Sequence, residues 1–225
     1  MRSNVLFPLV MMIADIGVLK NHGGRVRDER ELLNLIKAWS DAGVNVIQIR
    51  GRAGTDLELV EFVRRVLAQV NRRQTSVIVN DRPDIALVVG ADGVHMKDDG
   101  SVASEIKSLG PADWLVGCSV HSSSGASRVA LDGGADYILA GNVFATDSKP
   151  GKPGLGLENL RNIVTASTVP VVAVGGLSWS NISDVAGLGV RGIAAIGAFM
   201  RDYALSGEDR AALVSSCYRQ LRRTA

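Results

Sequence analysis

The sequence predicts one α/β domain, a (β/α)8 TIM barrel covering residues 1–225, and three observations carry that prediction. Short β-branched runs alternate with helical patterns along the whole length, eight of each, and no shift in composition marks a linker. The runs are nearly continuously apolar, as parallel strands covered on both faces are. Glycine or a small residue precedes them in AGVNVIQIR, GADGVHM, GGADYILAG and GVRGIAAIG, where glycine accepts the left-handed conformation that ends a helix. An open doubly wound sheet would satisfy the same alternation and is the rival architecture.

The opening stretch MRSNVLFPLVMMIAD is apolar over too few residues to cross a membrane. No small-residue cleavage pattern follows it, so it reads as the first strand, 8–14, rather than a signal peptide. A helical pattern over 29–42 leads to the strand NVIQIR, 45–50. The next helix, 56–72, carries the basic cluster RRVLAQVNRR on what reads as a solvated face. SVIVN (76–80), a helix at 82–89 and DGVHM (92–96) continue the alternation, followed by a helix at 102–109 and WLVGC (114–118). Ser122 suits the N-cap of a helix over 123–132. ADYILAG (135–141), a helix at 157–166, VPVVAV (169–174), a helix at 179–187 and RGIAAI (191–196) follow. The last helix, 204–222, has an apolar stripe that core packing explains.

The net charge of +2 argues against a nucleic-acid partner, although the pI of about 8.7 is mildly basic. Cys118 and Cys217 lie far apart, without histidine or cysteine at zinc spacing. They read as buried thiols in a reducing cytoplasm. No nucleic-acid or membrane partner is expected, and no interface signature marks an oligomer.

In such barrels chemistry gathers at the carboxyl ends of the strands. Those ends supply Gln48, Arg50 and Arg52; Asn80 and Asp81; His95; Cys118, Ser119 and His121; then Asn142, Thr146, Ser148 and Lys149. Period-two spacing aims Gln48, Arg50 and Arg52 the same way, and arginine suits planar contacts to anions. VGGLS (174–178) and AIGAF (195–199) follow the last two strands, where backbone amides commonly hold a phosphate. Gly175, Gly176, Gly197 and Ala198 are the residues concerned, with glycine permitting close approach of the anion. His121, in SVHSSS just past a strand end, is placed to move protons on a small substrate, as histidine commonly does. His95 competes for that role, and His22 in KNHGG reads as a surface residue. Asp81, Asp98 and Asp99 are oxygen ligands suited to magnesium, although KDDG reads equally well as a turn.

Connections in compact domains are usually a few residues long. GNVFATDSKPGKPGLGLENL (141–160) holds about ten residues of Thr, Asp, Ser, Lys, Pro and Gly, and so reads as an active-site loop. Thr146, Ser148 and Lys149 can contact phosphate or carboxylate, and Pro150 and Pro153 limit its conformations.

IQIRGR, VNDRPDIALVVGADGVHM, GCSVHS, GADYILAGNVFATDSKPG, PGLGLENL and PVVAVGGLS, in this order, resemble the thiamine phosphate synthase/TenI superfamily from about residue 9 to 205. The resemblance implies a single-domain barrel, often oligomeric, acting on a phosphorylated thiazole, with the long loop as a lid. It implies one of two activities. The synthases join an aminopyrimidine pyrophosphate to a thiazole phosphate, using magnesium and a Gln-x-Arg-x-Lys motif. TenI-type tautomerases aromatise a thiazole phosphate carboxylate by moving a proton, with no cofactor. Asn80 and Asp81 match the synthase pattern, with Asp81 then a metal ligand, whereas Arg52 stands in place of its lysine. HMKDDG puts Gly100 where the synthases carry a metal-binding aspartate, and SVHS and TDSKPG look TenI-like. The expected reading is therefore an isomerase with His121 as acid/base. The alternatives are a magnesium-dependent synthase and a non-catalytic thiazole phosphate-binding regulator.

Overall fold

The computed structural model describes residues 7–17, 26, 28–51, 55–97, 103–201 and 204–223. Its strands are β1 Leu9–Asp15, β2 Val46–Arg50, β3 Ser76–Asn80, β4 Gly93–Met96, β5 Leu115–Val120, β6 Tyr137–Gly141, β7 Val171–Val174 and β8 Gly192–Ala195. The helices are α1 Glu29–Asp41, α2 Asp56–Gln69, α3 Pro83–Val89, α4 Ala103–Leu109, α5 Ser123–Asp132, α6 Gly156–Ala166, α7 Ile182–Ala186, α8 Gly197–Met200 and α9 Gly207–Arg222. All strand pairs are parallel, each strand bonds the next, and Leu9 of β1 pairs with Gly192 of β8. The sheet is a closed barrel, which settles the choice against the open alternative.

Successive side chains of a strand face opposite ways. Leu9, Met11 and Ile13 accordingly fill the barrel with Val46, Ile78, Tyr137 and Val172. Val10, Met12 and Ala14 face outward into the larger apolar layer under the helices. Toward the carboxyl ends the inward series turns polar: Gln48 follows Val46, Asn80 follows Ile78, and His95 follows Gly93. Gly117 makes room for this layer, since a Cβ there would lie 2.1 Å from the Tyr137 ring.

Local signals fix the element ends. Asp28, Thr55, Ser122 and Ser206 accept N-terminal amides of α1, α2, α5 and α9, and Thr55 with Glu58 forms a full capping box. The glycines expected to end helices do take positive φ: Gly43, Gly90, Gly133 and Gly189. Both cysteines are buried thiols outside any disulfide, and no helix of the described residues is long and apolar enough to cross a membrane.

Three elements depart from expectation. The helix expected over 179–187 is only α7, because Asn181 folds the preceding turn by accepting from the Ser178 amide and donating to the Gly176 carbonyl. Trp179 leaves the helix to pack with Trp39 and Phe199. The short α8 was not expected at all. β5 also runs on to Val120, so Ser119 lies inside the strand.

Candidate active site

One cavity occupies the carboxyl end of the barrel and is lined by residues from every strand end. Gln48 forms part of its floor; 2% exposed, it donates through Nε2 to Asn80 Oδ1 at 2.8 Å. Gln48 Oε1 is buried with no hydrogen-bond partner. A buried orphan acceptor costs about 1–3 kcal/mol, so this oxygen is ready for a donor carried by a ligand. Beside it, His95 is also 2% exposed and bridges Tyr137 Oη at 3.2 Å and Ser119 Oγ at 2.9 Å. Burial pushes the His95 imidazole down to about 4, with Asp81 opposing and Arg50 reinforcing that shift, so it is neutral at pH 7. Burial raises the Tyr137 hydroxyl well above its ordinary value. With Tyr137 donating to Nδ1, the imidazole donates from Nε2 to Ser119 and leaves the Ser119 O–H free to donate into the cavity.

His121 follows β5 and lines the same cavity. Its Nδ1 makes a short hydrogen bond to the Gly141 carbonyl, which can only accept. Nδ1 therefore carries the proton, and Nε2 is the basic atom of the neutral ring.

Among the described residues, Arg82 at the rim is tied to Asp56 and Asp84, and three further cations of the mouth are each tied to one carboxylate. Arg50 Nε lies 3.4 Å from Asp15 Oδ2. Arg201 pairs with Asp147. Lys97, just past β4, pairs with Asp81 Oδ2, an electrostatic contact rather than a directed hydrogen bond. Asp81 itself has φ 56°, a left-handed conformation that aspartate tolerates better than most residues. It is locked there by its own amide on the His95 carbonyl and by the Lys97 amide on its Oδ1 at 3.0 Å. Magnesium, implied by the synthase alternative, needs one or two carboxylates beside substrate phosphates, and Asp81 is the described carboxylate the resemblance assigns to it. That carboxylate faces the Lys97 ammonium, which a metal would have to displace. Asp98, Asp99 and Gly100, like Arg52 and His22, lie outside the described residues.

The long loop is zipped at its root: Leu155 and Gly156 amides donate to the Asn142 and Val143 carbonyls at 2.7 and 3.0 Å. Asn142 Nδ2 adds a bond to the Phe144 carbonyl. Thr146 organises the tip, accepting from Ser148 N at its hydroxyl and from Lys149 N at its carbonyl. Asn142, Thr146, Ser148 and Lys149 all line the cavity, as expected, and Lys152 joins them.

Gly175 and Gly176 line it as well, yet the close approach that demands glycine is made by the loop. A Cβ on Gly175 would lie 2.4 Å from Asn142 Cβ, and one on Gly176 would lie 2.6 Å from the Ala145 carbonyl oxygen. Both have positive φ, 94° and 68°. These glycines seat the loop, a role that their sequence context does not reveal. Gly197 opens α8 at the rim, whereas the Ala198 side chain is buried behind it and does not line the cavity. Only its amide could meet a ligand.

Of the expected residues, Gln48, Arg50, Asn80, Asp81, Ser119, His121, Asn142, Thr146, Ser148, Lys149, Gly175, Gly176 and Gly197 converge on this one cavity. Sequence reasoning passed over Asp15, Lys97, Tyr137, Lys152 and Arg201. Asp15 and Lys97 do stand at strand ends, and that position was the available signal.

Fold and site define the class: an (β/α)8 barrel with its polar, cation-bearing cavity at the carboxyl ends of the strands, where barrel enzymes carry their chemistry. The family follows from comparison. The family model for thiamine monophosphate synthase matches residues 22–199, and the chain belongs to that family. It is similar to a thiamine-phosphate synthase of Methanoculleus marisnigri, 36% identical over 176 residues, 78% of this chain and 82% of that one. It is also similar to that of Methanoregula boonei, 39% identical over 157 residues, 69% and 72% of the two chains. Among solved structures, a thiamine phosphate pyrophosphorylase from Pyrococcus furiosus superposes with a TM-score of 0.76 at 28% identity, covering 95% of this chain and 97% of the other. The expected superfamily is confirmed, and its TenI-type branch is not singled out.

Proposed function

We propose that this protein is a thiamine-phosphate synthase, joining an aminopyrimidine pyrophosphate to a thiazole phosphate. The observation that carries the reading is that cationic side chains and the late glycine turns line opposite sides of the same cavity. In a closed eight-stranded barrel β3 and β7 stand opposite each other. Arg50 and Lys97 belong to the β2–β4 side, and the Gly175–Gly176 and Gly197 turns belong to the β7–β8 side. Two phosphorylated substrates could meet between them, and the names of the relatives at 36–39% identity agree.

In this reading the C–O bond to pyrophosphate breaks, the thiazole nitrogen forms the new C–N bond, and pyrophosphate leaves. Charge grows on the departing group, where preorganised cations act most strongly. Arg50, Lys149 and Lys152 are the cations of this chain placed to hold it. The Gln48 Oε1 acceptor and the Ser119 hydroxyl suit the amino group and ring nitrogen of a pyrimidine.

A second reading, a thiazole tautomerase, has one specific observation in its favour. Lys97 occupies the carboxylate that a metal would need, and a proton shift needs no metal. His121 would then take and return the proton at Nε2.

Two assays on the purified chain separate these readings. Thiamin phosphate formation from both synthase substrates, with and without magnesium, is expected under the first. Aromatisation of the thiazole tautomer alone, with no thiamin phosphate formed, would overturn it in favour of the second.

A further inference from the structure

The β6–α6 loop carries a carboxylate that neither reading explains. Asp147 lies near the tip with its side chain 89% exposed, yet it is paired with the Arg201 guanidinium at the C-cap of α8. That guanidinium stands over the turn that follows β8. A Cβ added to Gly197 would meet its Cζ and Nε at 3.7 Å and its Nη2 at 4.0 Å. Asp147, Arg201 and Gly197 all line the central cavity. Guanidinium presents planar paired donors that match phosphate oxygens, and an ion pair this exposed is weak enough to exchange partners.

We propose that Arg201 is a phosphate-binding residue of this site and that Asp147 is its built-in competitor. Their contact ties the loop to the β8 turn until a phosphoryl group takes the guanidinium over. A phosphate carries close to twice the charge of a carboxylate and three acceptor oxygens, so it wins the exchange. Asp147 then withdraws with the loop, removing its negative charge from the ligand. The proposal rests on the proposed function only for the identity of the ligand beyond its phosphate.

Calorimetric titration of the full chain tests it with three probes: inorganic phosphate, thiazole phosphate and the dephosphorylated thiazole alcohol. Both side chains are exposed, so neither substitution threatens the fold. Arg201→Gln should weaken both phosphate-bearing probes about tenfold or more, the loss of a charged hydrogen bond, and leave the alcohol unchanged. Asp147→Asn should tighten them about two- to fivefold, the worth of an exposed pair, and should do nothing in the Arg201→Gln background. Unchanged phosphate affinity in Asp147→Asn, or equal losses for phosphate and alcohol in Arg201→Gln, would overturn the proposal. The inorganic phosphate pattern with no response to either thiazole would uphold it while overturning the functional reading.

Discussion

Replacing Lys97 by methionine keeps the apolar stem and removes the ammonium from Asp81. The Asp81 side chain is 21% exposed, and its Oδ1 keeps the Lys97 backbone amide at 3.0 Å whatever the side chain. Oδ2 loses its cation. Leaving a buried acceptor short of a partner costs about 1–3 kcal/mol. Lys97 is 48% exposed, so water and salt screen the pair and the lower end, about 1 kcal/mol, is expected. For a chain of 225 residues that lowers Tm by roughly 2–4 °C. The freed carboxylate should now accept magnesium. At ten times its Kd the ion returns about 1.4 kcal/mol, which more than restores the loss. Thermal unfolding in a magnesium series reads both effects: little response in the wild type, several degrees in the variant. Equal magnesium shifts in the two proteins would refute the argument that the ammonium holds the place of a metal.

Three further outcomes are expected. The unfolded chain takes up a proton on His95 near pH 6.5, whereas the folded chain resists until about 4, so stability falls as pH drops through that window and levels off below it. The loss approaches about 3 kcal/mol, and His95→Gln should remove that part of the acid slope in urea unfolding measured from pH 7 to 4. His121→Ala should cut turnover by about 10²–10⁴ if Nε2 moves a proton in the rate-limiting step; a near-wild-type kcat would confine His121 to holding the Gly141 carbonyl. Gly176→Ala forces an alanine to φ 68° with its Cβ 2.6 Å from the loop backbone. It should cost about 1–2 kcal/mol in unfolding and raise the KM for a phosphorylated substrate with a smaller change in kcat.

The barrel was legible because its signals are local. Apolar runs such as SVIVN and helix-ending glycines such as Gly90 and Gly133 mean the same thing wherever the chain later travels. The strand ends therefore named most of the cavity wall before any coordinates. What the sequence hid depends on partners brought together by closure. Lys97 matters because the neighbouring strand delivers Asp81, and Arg201 matters because the β6–α6 loop delivers Asp147. α7 is short because Trp179 is drawn into a cluster with Trp39, 140 positions earlier in the chain. Gly175 and Gly176 were assigned to the right place for an incomplete reason: nothing in GGLS reveals that Asn142 and Ala145 press against them.

Among the carboxylate-paired cations, Arg50, Lys97 and Arg201 are not equivalent, and the burial of their partners ranks them. Asp15 and Asp81 have side chains 18% and 21% exposed, whereas Asp147 stands almost wholly in water. Arg50 and Lys97, each about half exposed, thus face carboxylates that the fold holds in place, which keeps positive charge on the β2–β4 side where negative charge develops. Arg201 is held by a partner that exchanges readily. An arriving phosphate therefore meets a yielding contact on the loop side and a rigid one across the barrel. Anchoring at the β7–β8 side should accordingly come with loop rearrangement. Charge stabilisation at the β2–β4 side should come without it, so the loop contact is exchanged on binding while the opposite side is already in place.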